Sequence, residues 1–164
     1  MENKEDKLGL RLYHRYSRKE VHEILSPLST FHPYVGKWGL NGVVRIEPGK
    51  DNFVFFVRIG VGSKYSTGQG ISEGGILKWL APMSQTPDSP LIHALTHHNT
   101  ARDDIHLLVR FENDEKYIYM GGLEYRSLDA DSASPLAFEW QLISWPPSES
   151  IKSLVSKYGR ELHS

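Results

Sequence analysis

Leu40-Asn41-Gly42-Val43-Val44-Arg45-Ile46-Glu47-Pro48-Gly49-Lys50-Asp51-Asn52-Phe53-Val54-Phe55-Phe56-Val57-Arg58-Ile59 decides the fold. Leu40 to Glu47 and Phe53 to Ile59 are rich in Val, Ile and Phe, which suit a pleated, half-buried surface. Pro48 to Asn52 between them is a turn, so the pair predicts a β-hairpin. The same pattern recurs downstream. Ile105 to Phe111 and Tyr117 to Met120 flank Asn113-Asp114-Glu115-Lys116, a second hairpin. Ile76 to Leu80 and Ala137 to Trp145 read as further strands, and Leu123 to Ser127 extends or follows the second hairpin.

Three helices surround these strands in the reading. Ser17-Arg18-Lys19-Glu20 is a capping box ahead of Val21, Ile24 and Leu25, which gives a short helix stopped near Pro27. Ser89-Pro90 opens a second helix with Leu91, Ile92 and Leu95 on one face, ended by Asn99. Pro146-Pro147-Ser148 caps a terminal helix whose apolar stripe is Ile151, Leu154, Val155 and Tyr158. The expected class is α+β: a bent, mostly antiparallel sheet or open barrel with about three short helices packed on it. No linker or repeat divides the 164 residues, so 1–164 reads as one domain with residues 1–9 frayed.

Composition removes several functions. There is no cysteine, which excludes disulfides, thiol catalysis and Cys-ligated zinc. No apolar run approaches the roughly 20 residues that span a bilayer, so no membrane partner is expected. The net charge of −1 hides an asymmetry. Arg11 to Lys78 holds ten Lys/Arg against five Asp/Glu, while Trp79 to Ser144 holds four against ten. A fold that keeps the first stretch on one face presents a positive surface to a polyanion.

Catalytic motifs fare poorly. Gly70-Ile71-Ser72-Glu73-Gly74 matches the nucleophile elbow of serine hydrolases, but that elbow needs a helix directly after the Ser, and Ile76 to Leu80 reads as strand. His93 and His97 stand i, i+4 on one helix, a spacing that can chelate a metal, yet no Glu lies between them as a zinc protease requires. His97-His98-Asn99 cannot by itself build an HNH nuclease unit. There is no phosphate-binding glycine loop of the nucleotide-binding kinds. No metal and no cofactor is therefore expected. In the basic half, Arg11, Arg15, Arg18, Lys19, Lys37, Arg45, Arg58 and Lys64 interleave with Tyr13, Tyr16, Tyr34, Trp38 and Tyr65. This composition suits phosphate contacts. A solvated sheet face with core aromatics suits it equally.

Tyr13-His14-Arg15-Tyr16-Ser17-Arg18-Lys19-Glu20-Val21, Phe31-His32-Pro33 to Trp38-Gly39-Leu40, and Asp104-Ile105-His106-Leu107-Leu108-Val109-Arg110 together carry a resemblance. In order and spacing they are similar to the sulfur-binding domain of bacterial type IV, McrA-like restriction endonucleases, which recognise phosphorothioated DNA. The likeness covers about Leu10 to Trp145. It implies an apolar hollow beside a cation. Pro33 would be its wall, Arg15 the charge partner and His32 a methylene edge. Gly36 would stand where relatives carry a small methyl side chain, and the amides of Tyr34, Val35 and Gly36 would meet phosphate oxygens. His14, Arg18 and Lys37 are the expected contacts to plain phosphates. Candidates for base contacts are Lys64, Tyr65, Thr67 and Gln69 in one loop, Gln85 in a second, and His98 and Arg102 in a third. The implied partner is phosphorothioated double-stranded DNA, read in the bacterial cytoplasm within a short preferred sequence. The implied chain is a non-enzymatic reader whose full-length relatives carry a separate nuclease domain; the alternatives are a reader of another DNA modification or of unmodified DNA, and a metal-dependent nuclease. A homodimer stays open.

Overall fold

A computed structural model describes residues 9–60, 68–112, 114–129 and 135–159. The frayed segment expected before residue 9 lies outside them. The elements run β1 (Arg15–Tyr16), α1 (Arg18–Leu25), α2 (Gly36–Gly39), β2 (Val43–Arg45), β3 (Phe53–Ile59), β4 (Gly70–Ile71) and β5 (Ile76–Leu80). They continue with α3 (Pro90–Thr96), β6 (Ile105–Phe111), β7 (Tyr117–Leu128), β8 (Ala137–Leu142) and α4 (Glu149–Gly159). Among the described residues this gives four helices and one open eight-stranded sheet in the order β2-β3-β6-β7-β8-β5-β4, with β1 paired to β7. The class is α+β, as the alternation of strand and helix patterns indicated.

Both hairpins form. β2 pairs antiparallel with β3, and β6 with β7. The two hairpins then join through a parallel pair, Phe53↔Ile105 to Ile59↔Phe111. A parallel pair needs a long crossover, here carrying β4, β5 and α3, so no local signal announces it. The continuous apolar runs are its trace, because β3 and β6 are buried on both faces. On one face Phe53, Phe55, Val57 and Ile59 join Leu107, Val109, Trp79, Phe138 and Trp140. On the other Val54 and Phe56 join Leu108, Tyr117, Tyr119, Trp38, Val21 and Leu10.

β7 is the bent strand. Its first part pairs with β6 and β1, its last part with β8. The register slips between His106 and Leu108, opposite Gly121. Gly121 has φ +87°, and a Cβ there would stand 3.0 Å from Ser144 Oγ. A bulge at that point turns the strand from one ladder toward the next.

Helix ends depart from expectation in detail. The capping box is real: Ser17 Oγ accepts from the Glu20 amide at 3.1 Å, and the Ser17 amide donates to Glu20 Oε1 at 3.0 Å. Ser89 makes no such bond to its helix. Its hydroxyl oxygen accepts from the Thr86 amide at 2.9 Å, closing the preceding turn. α3 ends at Thr96 rather than near Asn99, whose side-chain oxygen takes the Ala101 amide. Ser72 sits in a turn into β5 and not before a helix, so the hydrolase elbow is not built. No helix among the described residues is long and apolar enough to cross a membrane.

The capping box carries a pH dependence. The Ser17 amide, then the Lys116 ammonium 3.1 Å away, hold the Glu20 carboxyl below its usual value. A carboxyl lowered on folding stabilises above its unfolded pKa and loses that contribution as pH falls through the folded one. The melting-temperature gap between wild type and Glu20→Gln is expected to be open near pH 6 and to narrow as pH falls below the ordinary glutamate range. A gap that does not change with pH would remove the ionic part of this explanation.

Candidate nucleic-acid interface

The interface is built by α1, α2 and the inner ends of β6 and β7. Pro33 and Tyr34 lie in a turn in which the Val35 amide donates to the His32 carbonyl at 3.4 Å. Pro fits the first central position of such a turn, and a positive φ is required at the second. Tyr34 supplies it at +65° and Gly36 follows at +70°. For tyrosine this backbone costs on the order of 1–2 kcal/mol, so something must hold it. Two neighbours do. Gly39 packs so close that a Cβ there would fall within 1.9 Å of the His32 carbonyl oxygen. Trp38 is buried, edge-on to His22 (5.4 Å) and Phe56 (6.5 Å).

Arg18 completes the brace. Its guanidinium donates to the carbonyls of Trp38 (3.2 Å), Asn41 (2.9 Å) and Leu40 (3.2 Å) and to the Tyr117 hydroxyl (3.2 Å). It also lies 4.2 Å over the Phe56 ring. Four of its five N–H donors are thereby engaged within the protein. The residue expected to meet phosphate is first of all the part that fixes the end of α2.

This brace leaves the Pro33 ring exposed on the wall of a hollow of about 500 Å³. Phe31, Tyr34, Leu40 and Tyr117 supply the rest of its apolar lining, and Arg18, Lys19 and Arg110 its cations. Glu115 is the acid at its rim. Tyr34 is 86% exposed and Val35 and Leu40 are also exposed, a projecting apolar lip next to Lys37. A larger cleft of about 700 Å³ elsewhere on the molecule carries Asp104 and Glu124 beside His106 and Trp145. Two carboxylates make that cleft hostile to a phosphate. The Pro33 hollow is the better seat for an anion.

The other expected residues scatter. Arg15 lies outside the hollow's lining: strand alternation turns it away from the face of Tyr16 and Tyr117, and it pairs with Asp114 at 3.9 Å. His14, His32 and Lys37 are exposed. The His14 carbonyl accepts from the Tyr119 amide. Gln69 spends its amide on backbone, receiving the Leu80 N–H at 3.0 Å and donating to the Arg58 carbonyl at 3.3 Å. Gln85 is half-buried in the loop between β5 and α3. His98 is tied to the Asp51 carbonyl at 2.9 Å, and Arg102 pairs with Asp103 (2.8 Å) and Asp51 (3.6 Å). The hydrogen bond with Asp103 holds the Arg102 pKa above its ordinary value. Lys64, Tyr65 and Thr67 lie outside the described residues.

His98 and Arg102 precede β6, whereas Arg110 is its penultimate residue. At about 3.3 Å per residue the two groups are on the order of 15–20 Å apart. Sequence spacing alone could not show this separation. Nor did it single out Arg110. The signal was available in the alternation of His106, Leu108 and Arg110, which places the arginine on the face of Tyr117. Among the described residues no group of three or more His, Asp or Glu could hold a metal ion. His93 and His97 stack at 4.2 Å without a third ligand.

No protein-family model matches the chain, and no curated protein matches it. Solved structures do. The SRA domain of SUVH5, in a complex with hemi-methylated CG DNA, superposes with a TM-score of 0.51 at 14% identity, over 85% of this chain and 93% of that one. SUVH6 of Arabidopsis thaliana in complex with SAM gives 0.48 at 12% identity, over 87% of this chain and 27% of that one. The chain shares its overall fold with the first of these.

Proposed function

We propose that this chain is a non-enzymatic reader of modified double-stranded DNA, and that the modification is a phosphorothioate. The observation that carries the reading is the exposed Pro33 ring facing a hollow that also holds cations. A phosphorothioate keeps the charge of a phosphate, but its sulfur is larger, more polarizable and a poorer hydrogen-bond acceptor. A hollow with an apolar wall and cationic neighbours favours the softer atom. Oxygen at the same place loses hydration without gaining partners. Shielding a few tens of Å² of sulfur is worth roughly 1 kcal/mol, or several-fold in affinity. In this reading His32 and Gly36, exposed on either side of the Pro33 turn, lie against the linkage, and the backbone of Tyr34 and Val35 meets its oxygens. Arg15 at the outer rim, with His14, Lys37 and the last donor of Arg18, takes flanking phosphates. His98 and Arg102 face bases or phosphates farther along the duplex, with Lys64, Tyr65, Thr67, Gln69 and Gln85 as the remaining candidates. In this reading the chain serves a restriction system, as the recognition part of a protein whose nuclease domain lies elsewhere.

The test is titration of matched duplexes with and without a single sulfur. Tighter binding of the sulfur duplex, by several-fold or more, is expected. Pro33→Ala should remove most of that preference, and Arg15→Ala should weaken both duplexes by up to about five-fold, the scale of one exposed charge contact. Equal affinity of the wild type for both duplexes would end the sulfur reading. A second reading, recognition of a methylated base, draws on the likeness to a domain solved with hemi-methylated CG DNA. A hemi-methylated duplex in the same titration separates the two.

A further inference from the structure

Arg110 is the arginine of the hollow to which the proposed function gives no role. It is the penultimate residue of β6, on the face shared by Leu108 and Tyr117, with its guanidinium carbon 5.5 Å from the Tyr117 ring centroid. Its Nε is buried and has no hydrogen-bond partner among the described residues. One terminal nitrogen makes a long contact, 3.4 Å, to the Asp114 carbonyl. In the parallel register Arg110 stands directly beside Arg58, and parallel neighbours in register point to the same face. A buried donor without a partner is expensive until something fills it.

Around this guanidinium the turn between β6 and β7 places carboxylates. Glu115 lines the hollow, and Asp114 reaches across to Arg15 while its carbonyl faces Arg110. The acceptors that Asp114 offers to Arg110 and Arg15, at 3.4 and 3.9 Å, are loose by hydrogen-bond standards, unlike those of Arg18.

We propose that Arg110 is a second anion-pairing residue of the site: its two terminal nitrogens, one of them held only by the long contact to the Asp114 carbonyl, take a non-bridging oxygen of the same linkage whose sulfur lies on Pro33. A guanidinium presents two parallel donors to one oxyanion, a geometry that a point charge cannot copy. The proposal rests on the DNA-reading function above but not on the sulfur. An oxygen-only phosphodiester would engage Arg110 as well, so the residue contributes affinity and Pro33 contributes the preference. Glu115 opposes any anion in the same hollow.

The experiment uses the full chain and the matched duplexes, with melting curves to confirm folding. Arg110→Gln should weaken binding of both duplexes by about ten-fold or more, the scale of a charged hydrogen bond, with the sulfur preference retained. Arg110→Lys should recover part of that loss. Glu115→Gln, an exposed change, should tighten both duplexes by about two- to five-fold. A folded Arg110→Gln that binds within two-fold of wild type overturns the proposal. If Arg110→Gln does not fold, Glu115→Gln decides: tighter binding supports the anion seat, and unchanged binding overturns it. Wild type that binds both duplexes equally defeats the sulfur reading while the Arg110 result stands. Wild type that binds no DNA defeats both.

Discussion

Gly39→Ala is expected to abolish the reading surface and to cost the protein several kcal/mol. The added Cβ would sit 1.9 Å from the His32 carbonyl oxygen and 3.0 Å from both the His32 carbonyl carbon and the Tyr34 amide nitrogen. All three are backbone atoms, so no side chain can swing aside to make room. Overpacking of this kind costs about 1–3 kcal/mol in an ordinary core and more where the obstacle is main chain. The turn from His32 to Val35 must move, and Pro33 leaves the wall of the hollow with it. Gly36→Ala is the control. It has open space around the new methyl, so it pays only for its φ of +70°, about 1 kcal/mol. Urea denaturation would rank the two, and duplex titration would show whether sulfur preference falls with Gly39 first. A Gly39→Ala protein as stable as wild type would mean that the turn is not packed as described.

Arg18→Ala carries the second large effect, and it is an effect on stability before it is one on DNA. The change strips partners from three carbonyls at the end of α2 and from the Tyr117 hydroxyl. Two of those carbonyls face solvent and can recruit water, which moderates the loss. The remainder, with the packing of the guanidinium on Phe56, sets an expected cost of about 2–4 kcal/mol. Arg18→Lys keeps the charge but cannot span four acceptors, so it should recover less than half. A cost under 0.5 kcal/mol by denaturant titration would show that α2 holds itself. If Arg18 served only as a phosphate contact, Lys would restore most binding and stability would not change.

Local signals in the sequence were legible and non-local ones were not. Ser17 and Glu20 spelled a capping box because both partners lie within one turn. β5 falls on Ile76–Leu80 as read, since a short run bounded by Gly75 and Pro82 needs no distant partner to be recognised. α2 was missed because Gly36-Lys37-Trp38-Gly39 has poor helix propensity at both ends. It forms because Trp38 has a place between His22 and Phe56 and because Arg18 satisfies its carbonyls. The parallel pairing of β3 with β6 escaped for the same reason: its partners lie on opposite sides of a long crossover. At the site, the resemblance led to Pro33. Arg110 and Tyr117 could be set beside it only by the fold, since tertiary packing brings the second hairpin against the segment from Phe31 to Leu40.

That parallel pairing also sets when the hollow can be completed. Phe53 and Ile105 are 52 positions apart (105 − 53), and closing a flexible loop of that length costs about 3.5 kcal/mol in chain entropy beyond a constant. Each hairpin on either side closes over a handful of residues and can zip on its own within microseconds. Arg18 and Pro33 belong to the early-synthesised part and Arg110 to the late one, so a ribosome-bound chain that has emerged only as far as α3 carries the wall of the hollow without Arg110. The capacity to hold an anion there arises in one stroke, when the second hairpin docks along the first.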